Sequence, residues 1–569
     1  MPRAKPGVRA VARALPSPDA CAAPPRPPAA SPSSRGCRVI TVSVRRVYDY
    51  LGMAQNFIGC DRDQSFLMPP DVRDWLPEGH LAWFVLDAVA GMDLGGFYAA
   101  YRRDGVGRRA YDPAMLVALL LYGYARGVRS ARKLERACVE DVAFKTIAML
   151  ECPDHATIAR FVERHEAALA ELFSQVLGLC ADAGLVRPGV VAVDGTRMAG
   201  NASRESTLDF GQIAREILAE AKAVDQAEDE LYGDQRGDEL PEQLRTREGR
   251  AEFFRRARER RASEAPADEP ALEVSPEVVE PQLGYEFDAE RIVARVQGRE
   301  GWSREARRQL EQRRWETPDD VPRSREGRLL LAAERLEDNL DAVIAANQAY
   351  ERYRAAGRDK QGRRLGRQPK PWVAPAVPEG VVSVSDPDSQ RMKANHGYVQ
   401  GYNAQAVVDE GQIVLAAEIT NTPGDFSNLD PMITATLAEL ERIGVTERPQ
   451  VALADAQYWN EQHMDEVIAN KHIQLLIRPD SSGRTAPRPG WTGGRYAWMR
   501  TVLASEHGKG LYRKRMQMIE PVFAHTKHNR MITRFHRRGR TAVRTEWRLL
   551  MATHNLGKLH RHHLATAGA

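Results

Sequence analysis

Residues 190–194 read VVAVD, an apolar run closed by an acid. A run without polar positions has no face to turn to water, so it predicts a strand covered on both sides. Asp194 is expected at its end. Further strands follow downstream. YNAQAVVD (402–409) and QIVLAAEIT (412–420) flank Glu410-Gly411, a hairpin-like turn. LDPMITATLAELERIG (429–444) repeats at helical spacing, VALAD (451–455) is a second strand closed by an acid, WNEQHMDEVIAN (459–470) is a helix and IQLLIRP (473–479) a strand. KRMQMIEPVFAHTKHNR (514–530) reads as a final helix, opened or kinked at Pro521.

Between the first strand and the rest lies a long charged stretch, 205–378. It contains AREILAEAKAVDQAEDELYG, RTREGRAEFFRRARERRASEA and RLLLAAERLEDNLDAVIAANQAYERYRAAG, helical in period, with Pro- and Gly-rich breaks at 264–284 and 357–378. It reads as a helical insertion. Without it the order is strand, strand, strand, helix, strand, helix, strand, helix. That is the order of a ribonuclease-H-like α/β fold, a mixed sheet flanked by helices. The expected catalytic domain is therefore 186–204 joined to 379–569.

Upstream, 71–182 reads as all-helical, within a domain spanning 53–185. Asp112-Pro113 is a cap followed by Pro at the first helical position. Ser130 is expected to cap RKLERACVEDVAF, and Asp154 to cap one long helix from Ile158 to Gly184. The break near Cys152-Pro153 suits a helix-turn-helix whose second helix exposes Arg160, Arg164 and His165 towards DNA; plain helical packing is the competing reading.

The net charge of +4 conceals an uneven distribution. Residues 508–569 hold fourteen Lys/Arg against two acids, and residues 1–46 nine against one. A basic C-terminal segment on an acidic body points to a polyanion partner. Nine prolines fall in the first 32 residues, so 1–52 is expected to be a disordered or untranslated extension, with Met53 as the natural start. No apolar run has membrane length, and six cysteines without a CxxC pair indicate a reducing compartment, the cytoplasm.

In the ribonuclease-H-like order, the strands ending in Asp194 and Asp455 are neighbours, and Glu520 on the last helix can bring a third carboxylate alongside. Converging carboxylates need cations, and hard oxygen ligands select Mg²⁺ or Mn²⁺. Two such ions suit in-line phosphoryl displacement. Lys527, seven residues after Glu520, lies on the same helix face. Arg513, Lys514, Arg515, Arg530, Arg534 and HRRGR (536–540) extend a phosphate-binding track. Arg391 and Lys393 read equally as DNA-facing cations or as part of a solvated loop, and Tyr512, Trp459 and Trp547 are candidates for stacking on bases or for the core. Asp425 and Asp430 read as helix-capping acids, Asp386 and Asp388 as loop acids, and Glu506 as the substitute for Glu520. His525 and His528 read as DNA contacts or exposed side chains.

The blocks VAVDGTRMAGNAS, MKANHGYVQGYNAQAVVD, VALADAQYW and Tyr512-x2-Arg515-x4-Glu520-x6-Lys527, with EWRLLMATHNLGKL after them, resemble the DDE transposases of bacterial insertion sequences. QSFLMPPDVRDWLPEGHLAWFV and DPAMLVALLLYGYARG resemble that family's helical N-terminal domain. The resemblance spans about 53–563. It implies that Asp194, Asp455 and Glu520 bind the catalytic metal, and that Tyr512, Arg515 and Lys527 form a signature contacting transposon-end DNA. Two features depart from the family: four residues separate Arg515 from Glu520 where three are usual, and the long insertion is early, where the best-known relatives carry it late. The implied activity is Mg-dependent cleavage at element ends and strand transfer into target DNA, by a homodimer on terminal inverted repeats in the bacterial nucleoid. A nuclease that cuts without joining, or a decayed DNA-binding copy, are the alternatives.

Overall fold

The computed structural model describes residues 71–101, 110–203, 205–225, 246–263, 287–292, 298–318, 320–358, 362, 364–367, 369–394, 397–480, 486–491 and 493–567. The expectations for 1–52, for Met53 and for the break at 264–284 lie outside these residues. The described residues fall in one unit, Pro70–Ala569.

The N-terminal region is helical as read: α1 (Leu81–Ala90), α2 (Gly95–Tyr98), α3 (Pro113–Ala125), α4 (Ala131–Glu140), α5 (Val142–Ile147), α6 (His155–Arg164) and α7 (Glu166–Asp182). The Asp112 carboxylate accepts the Ala114 N–H at the start of α3, and Asp154 accepts that of Thr157 in α6. Two helices expected to be single are each broken in two. Asp141 is extended (φ −105°, ψ 128°) and accepts from the N–H groups of Ala143 and Phe144, so it caps α5 rather than continuing α4. His165 separates α6 from α7 at φ −107°.

The sheet runs in the order β4 (Gln390–Ala394), β5 (Gly397–Asp409), β1 (Val190–Ala199), β7 (Val451–Ala454), β8 (Gln474–Ile477), with β6 (Val414–Thr420) paired to β5. β1 is antiparallel to β5 and parallel to β7, which is parallel to β8. This is the mixed sheet expected from the element order. Val191, Ala192 and Val193 have no exposed surface, so β1 is covered on both faces. The strand does not stop at Asp194 but runs five residues further, because residues 195–199 find partners in Gly401–Gln405.

The inserted region holds α8 (Phe210–Asp225), α9 (Arg247–Ser263), α10 (Arg299–Glu316) and α11 (Arg325–Ala355). A small sheet of β2 (Thr207–Asp209) and β3 (Val381–Ser383) closes its neck, and β4 (Gln390–Ala394) extends the main sheet; none of these short strands was expected. After β6 come α12 (Leu429–Arg442), α13 (Glu461–Lys471), α14 (Gly494–Ala504), α15 (Glu506–Ala524) and α16 (Arg540–Ala567). One continuous apolar core joins the N-terminal helices, the sheet and α16, while the insertion has two cores of its own.

Candidate active site

The register sets Ala192 beside Leu453, so two residues on, Asp194 on β1 faces the position of Asp455 just past β7. Asp194 is only partly exposed. Its Oδ2 accepts from Arg515 Nη1 at 2.7 Å and its Oδ1 from the Gly195 N–H at 2.8 Å. Burial pushes its carboxyl up to about 6, against the pull of the Arg515 guanidinium and with a further push from Asp455. Asp455 Oδ1 accepts the Gln457 N–H at 2.9 Å, capping a single helical turn. Burial raises its carboxyl too, aided by Asp425.

α15 lies over this edge. Tyr512 donates its hydroxyl to the Ala454 carbonyl at 3.3 Å, and Arg515 reaches Asp194. Lys527 donates to Thr196 Oγ1 and, at 3.0 Å, to the Arg197 carbonyl. Thr196 shares the strand face of Asp194, so Arg515 and Lys527 grip β1 at two successive same-face positions. Arg515 is therefore an internal partner of Asp194.

Glu520 is exposed on α15. Among the described residues no three acidic, His or Cys side chains converge closely enough to hold a metal ion. The donor chemistry of Asp194 and Asp455 nevertheless suits a hard divalent cation: both are carboxylates whose charge is disfavoured by burial, with the Arg515 charge acting on both.

The opposite face of β1 carries a polar cluster that the sequence reading missed. Asp425 is buried and accepts from Asn403 Nδ2 and Gln405 Nε2, each at 2.7 Å. Gln405 in turn accepts the hydroxyl of Tyr458, in the turn that Asp455 caps. Asp425 is thus a buried acceptor and not an exposed helix cap. The available signal was Asn403 and Gln405 at i and i+2 in the otherwise uncharged run 401–408. Arg197 ties the same turns together, donating to the Pro423 carbonyl at 3.0 Å and to Gln457 Oε1 at 3.2 Å.

Several expected DNA contacts have partners inside the protein. Arg530 donates to the Leu550 carbonyl and Thr553 Oγ1, and burial lowers it to about 10. Lys514 pairs with Glu410, and Arg537 with Glu166. Arg540 is buried against Glu311. His165 is buried among Phe97, Phe161 and Tyr101 instead of being exposed. Trp459 and Trp547 are core residues, the latter donating to the Gln405 carbonyl at 2.8 Å. His525 faces the buried His554. Asp386 and Asp388 are buried acceptors for Tyr402 and Arg335; Asp430 pairs with Lys471, and Glu506 with Lys509. Arg160, Arg164, Lys393, Arg513 and Arg534 remain exposed, with Arg391 stacked on Tyr398 at 4.4 Å.

Two protein families match the chain. A transposase domain (DUF772) matches residues 70–164, the N-terminal helices, and a transposase DDE domain matches residues 488–560, which carry Tyr512, Arg515, Glu520 and Lys527. No curated protein and no solved structure matches it. No helix among the described residues is long and apolar enough to cross a membrane.

Proposed function

The chain is a DDE-type transposase, a metal-dependent enzyme of DNA processing, and from that premise we propose that it cleaves the ends of its insertion sequence and joins them to target DNA with Mg²⁺ or Mn²⁺, two ions per site. The observation that carries the proposal is the Asp194–Asp455 pair, in register on adjacent parallel strands at the edge covered by α15. Asp194 and Asp455, with Glu520, would hold the ions. Bound there, divalent cations neutralise the charge that builds on a phosphoryl group during in-line displacement.

The chain's own groups orient the reaction. Arg515 keeps the Asp194 carboxylate ionised and aimed, and Tyr512 anchors α15 to the end of β7. Lys527, fixed against Thr196 and Arg197, offers its charge to a phosphate beside the carboxylates. Arg513, Arg534, Lys393, Arg160 and Arg164 supply exposed charge for the DNA backbone. Glu520, exposed on the same helix, would be the third carboxylate of the set. Cutting two terminal inverted repeats in concert calls for a homodimer on DNA. The enzyme works at the bacterial nucleoid.

A strand-transfer assay with pre-cleaved element ends and Mg²⁺ tests the reading. Joined product is expected; hydrolysis of the ends without any joining would favour a nuclease of the same fold.

A further inference from the structure

The turn between α3 and α4 sits on the segment that follows α15. Arg129 Nη2 donates to the Arg534 carbonyl at 2.9 Å, and its Nη1 pairs with the buried Glu546. Glu546 is also held by the N–H groups of His536 and Arg537, at 2.9 and 3.0 Å. This carboxylate is therefore fully enclosed and does not neutralise the surface above it. That surface carries Lys133 from the first turn of α4 and Arg534 from the C-terminal segment, both exposed and neither in an ion pair among the described residues. His536 lies within reach of both charges: burial, and then Arg129, Lys133 and Arg534, hold its imidazole below the ordinary range.

The position relative to the acids is set by β1. Arg534 bridges to Ala199, with the Ala199 N–H donating to the Thr533 carbonyl at 3.3 Å and the Phe535 N–H to the Ala199 carbonyl at 2.8 Å. Ala199 is five residues beyond Asp194 on the same strand. At roughly 3.3 Å per residue that is about 17 Å of strand. Lys527 stands between the two, at Thr196 and Arg197. One line of β1 therefore carries the acids, then Lys527, then the Lys133–Arg534 pair. DNA rises about 3.4 Å per base pair, so this line matches about five base pairs.

We propose that Lys133 and Arg534, one from the helical region and one from the segment after α15, form a composite clamp on the DNA backbone about five base pairs from the bond that Asp194 and Asp455 cleave. This rests on the transposase reading of the acids and adds the direction of the duplex, along β1 and away from its start. It also assigns backbone binding to the start of α4, where the sequence alone favoured Arg160 and Arg164 on α6.

The test uses the full chain and a duplex carrying the DNA that flanks its coding frame. The double variant Lys133→Ala/Arg534→Ala should reduce the slope of log affinity against log salt by about two, since each phosphate contact contributes about 0.9. Ethylation interference should vanish at phosphates about five base pairs from the cut while persisting beside it. Arg129→Lys keeps the joint's charge and is expected to retain the wild-type slope. An unchanged slope with intact interference in the double variant would overturn the clamp. The underlying reading fails separately: cleavage retained by Asp194→Asn would refute it whatever the salt slope.

Discussion

Gly195 separates two kinds of chemistry on one strand. The side chain before it, Asp194, faces α15 and Arg515, while the face Gly195 itself would occupy is filled by Asn403, Gln405 and Asp425. A Cβ at 195 would sit 2.1 Å from Gln405 Nε2 and 2.7 Å from Asp425 Oδ1. Gly195→Ala is therefore expected to cost about 1–3 kcal/mol by overpacking and to disturb the Asp455 turn through Gln405 and Tyr458. Urea unfolding checks this; wild-type stability would show that the cluster gives way freely. Asp194 and Asp455 were legible because each closes an apolar run, a local signal. The role of Arg515 was not, because its spacing on a helix is equally consistent with facing DNA or facing a carboxylate. Only the strand beneath decides.

α15 shows how an element tolerates an inconvenient residue. Pro521 has no N–H for the Gln517 carbonyl one turn back. Gln412, at the β5–β6 turn, fills the gap by donating its Nε2 to that carbonyl at 2.8 Å. Four residues on, the helix widens into a π-turn over His525–Asn529, which turns Lys527 onto β1. His525 meets His554 of α16 there, Nδ1 to Nδ1 at 3.1 Å, and His554 Nε2 bonds the Gln412 carbonyl at 3.0 Å. That arrangement needs a neutral His554, whose Nε2 donates to the carbonyl while its Nδ1 accepts from His525 Nδ1. Burial holds His525 down to about 4 and His554 to about 3. Unfolding releases both to ordinary values, so the unfolded chain takes up protons first as pH falls. Stability contributed by the pair is present above about pH 6.5 and declines as pH falls, through about 4 for His525 and about 3 for His554. His525→Gln keeps a donor for His554 and should flatten that decline by about one proton. An unchanged pH slope would remove the pair from the acid response. The helix itself was readable from periodicity and Pro521 was flagged. Its repair by Gln412 was not, because the two lie on distant parts of the chain.

Across the molecule, buried ion pairs join regions that the sequence reads as separate. Arg129–Glu546 ties the α3–α4 turn to α16, and Arg548 reaches Glu439 and Ser174 at 2.7 and 3.1 Å. Arg335–Asp388, at 2.8 Å, ties the insertion to the approach to β4. Removing one partner from such a pair leaves a buried charge uncompensated, so Glu546→Gln is expected to cost about 3–5 kcal/mol. A denaturant midpoint close to wild type would contradict the joint. The mixed α/β character, helices around a mixed sheet, followed from the order of the elements. The shared core did not, because α16 supplies it from the far end of the chain. The basic excess of the last segment was legible as a sum, yet Arg530, Arg537, Arg540 and Arg548 spend their charge on the protein's own carbonyls and acids.

The most direct measurement is end cleavage by purified Asp455→Asn beside the wild-type chain, on labelled duplex ends with Mg²⁺. Asn at 455 can still accept the Gln457 N–H that Asp455 holds at 2.9 Å, so the fold is expected to persist while the metal-binding charge is lost. Cleavage is expected to fall by about three orders of magnitude, the scale of losing one preorganised charge-stabilising group, with duplex binding unchanged. Cleavage at the wild-type rate by Asp455→Asn would contradict the metal-binding role of Asp455.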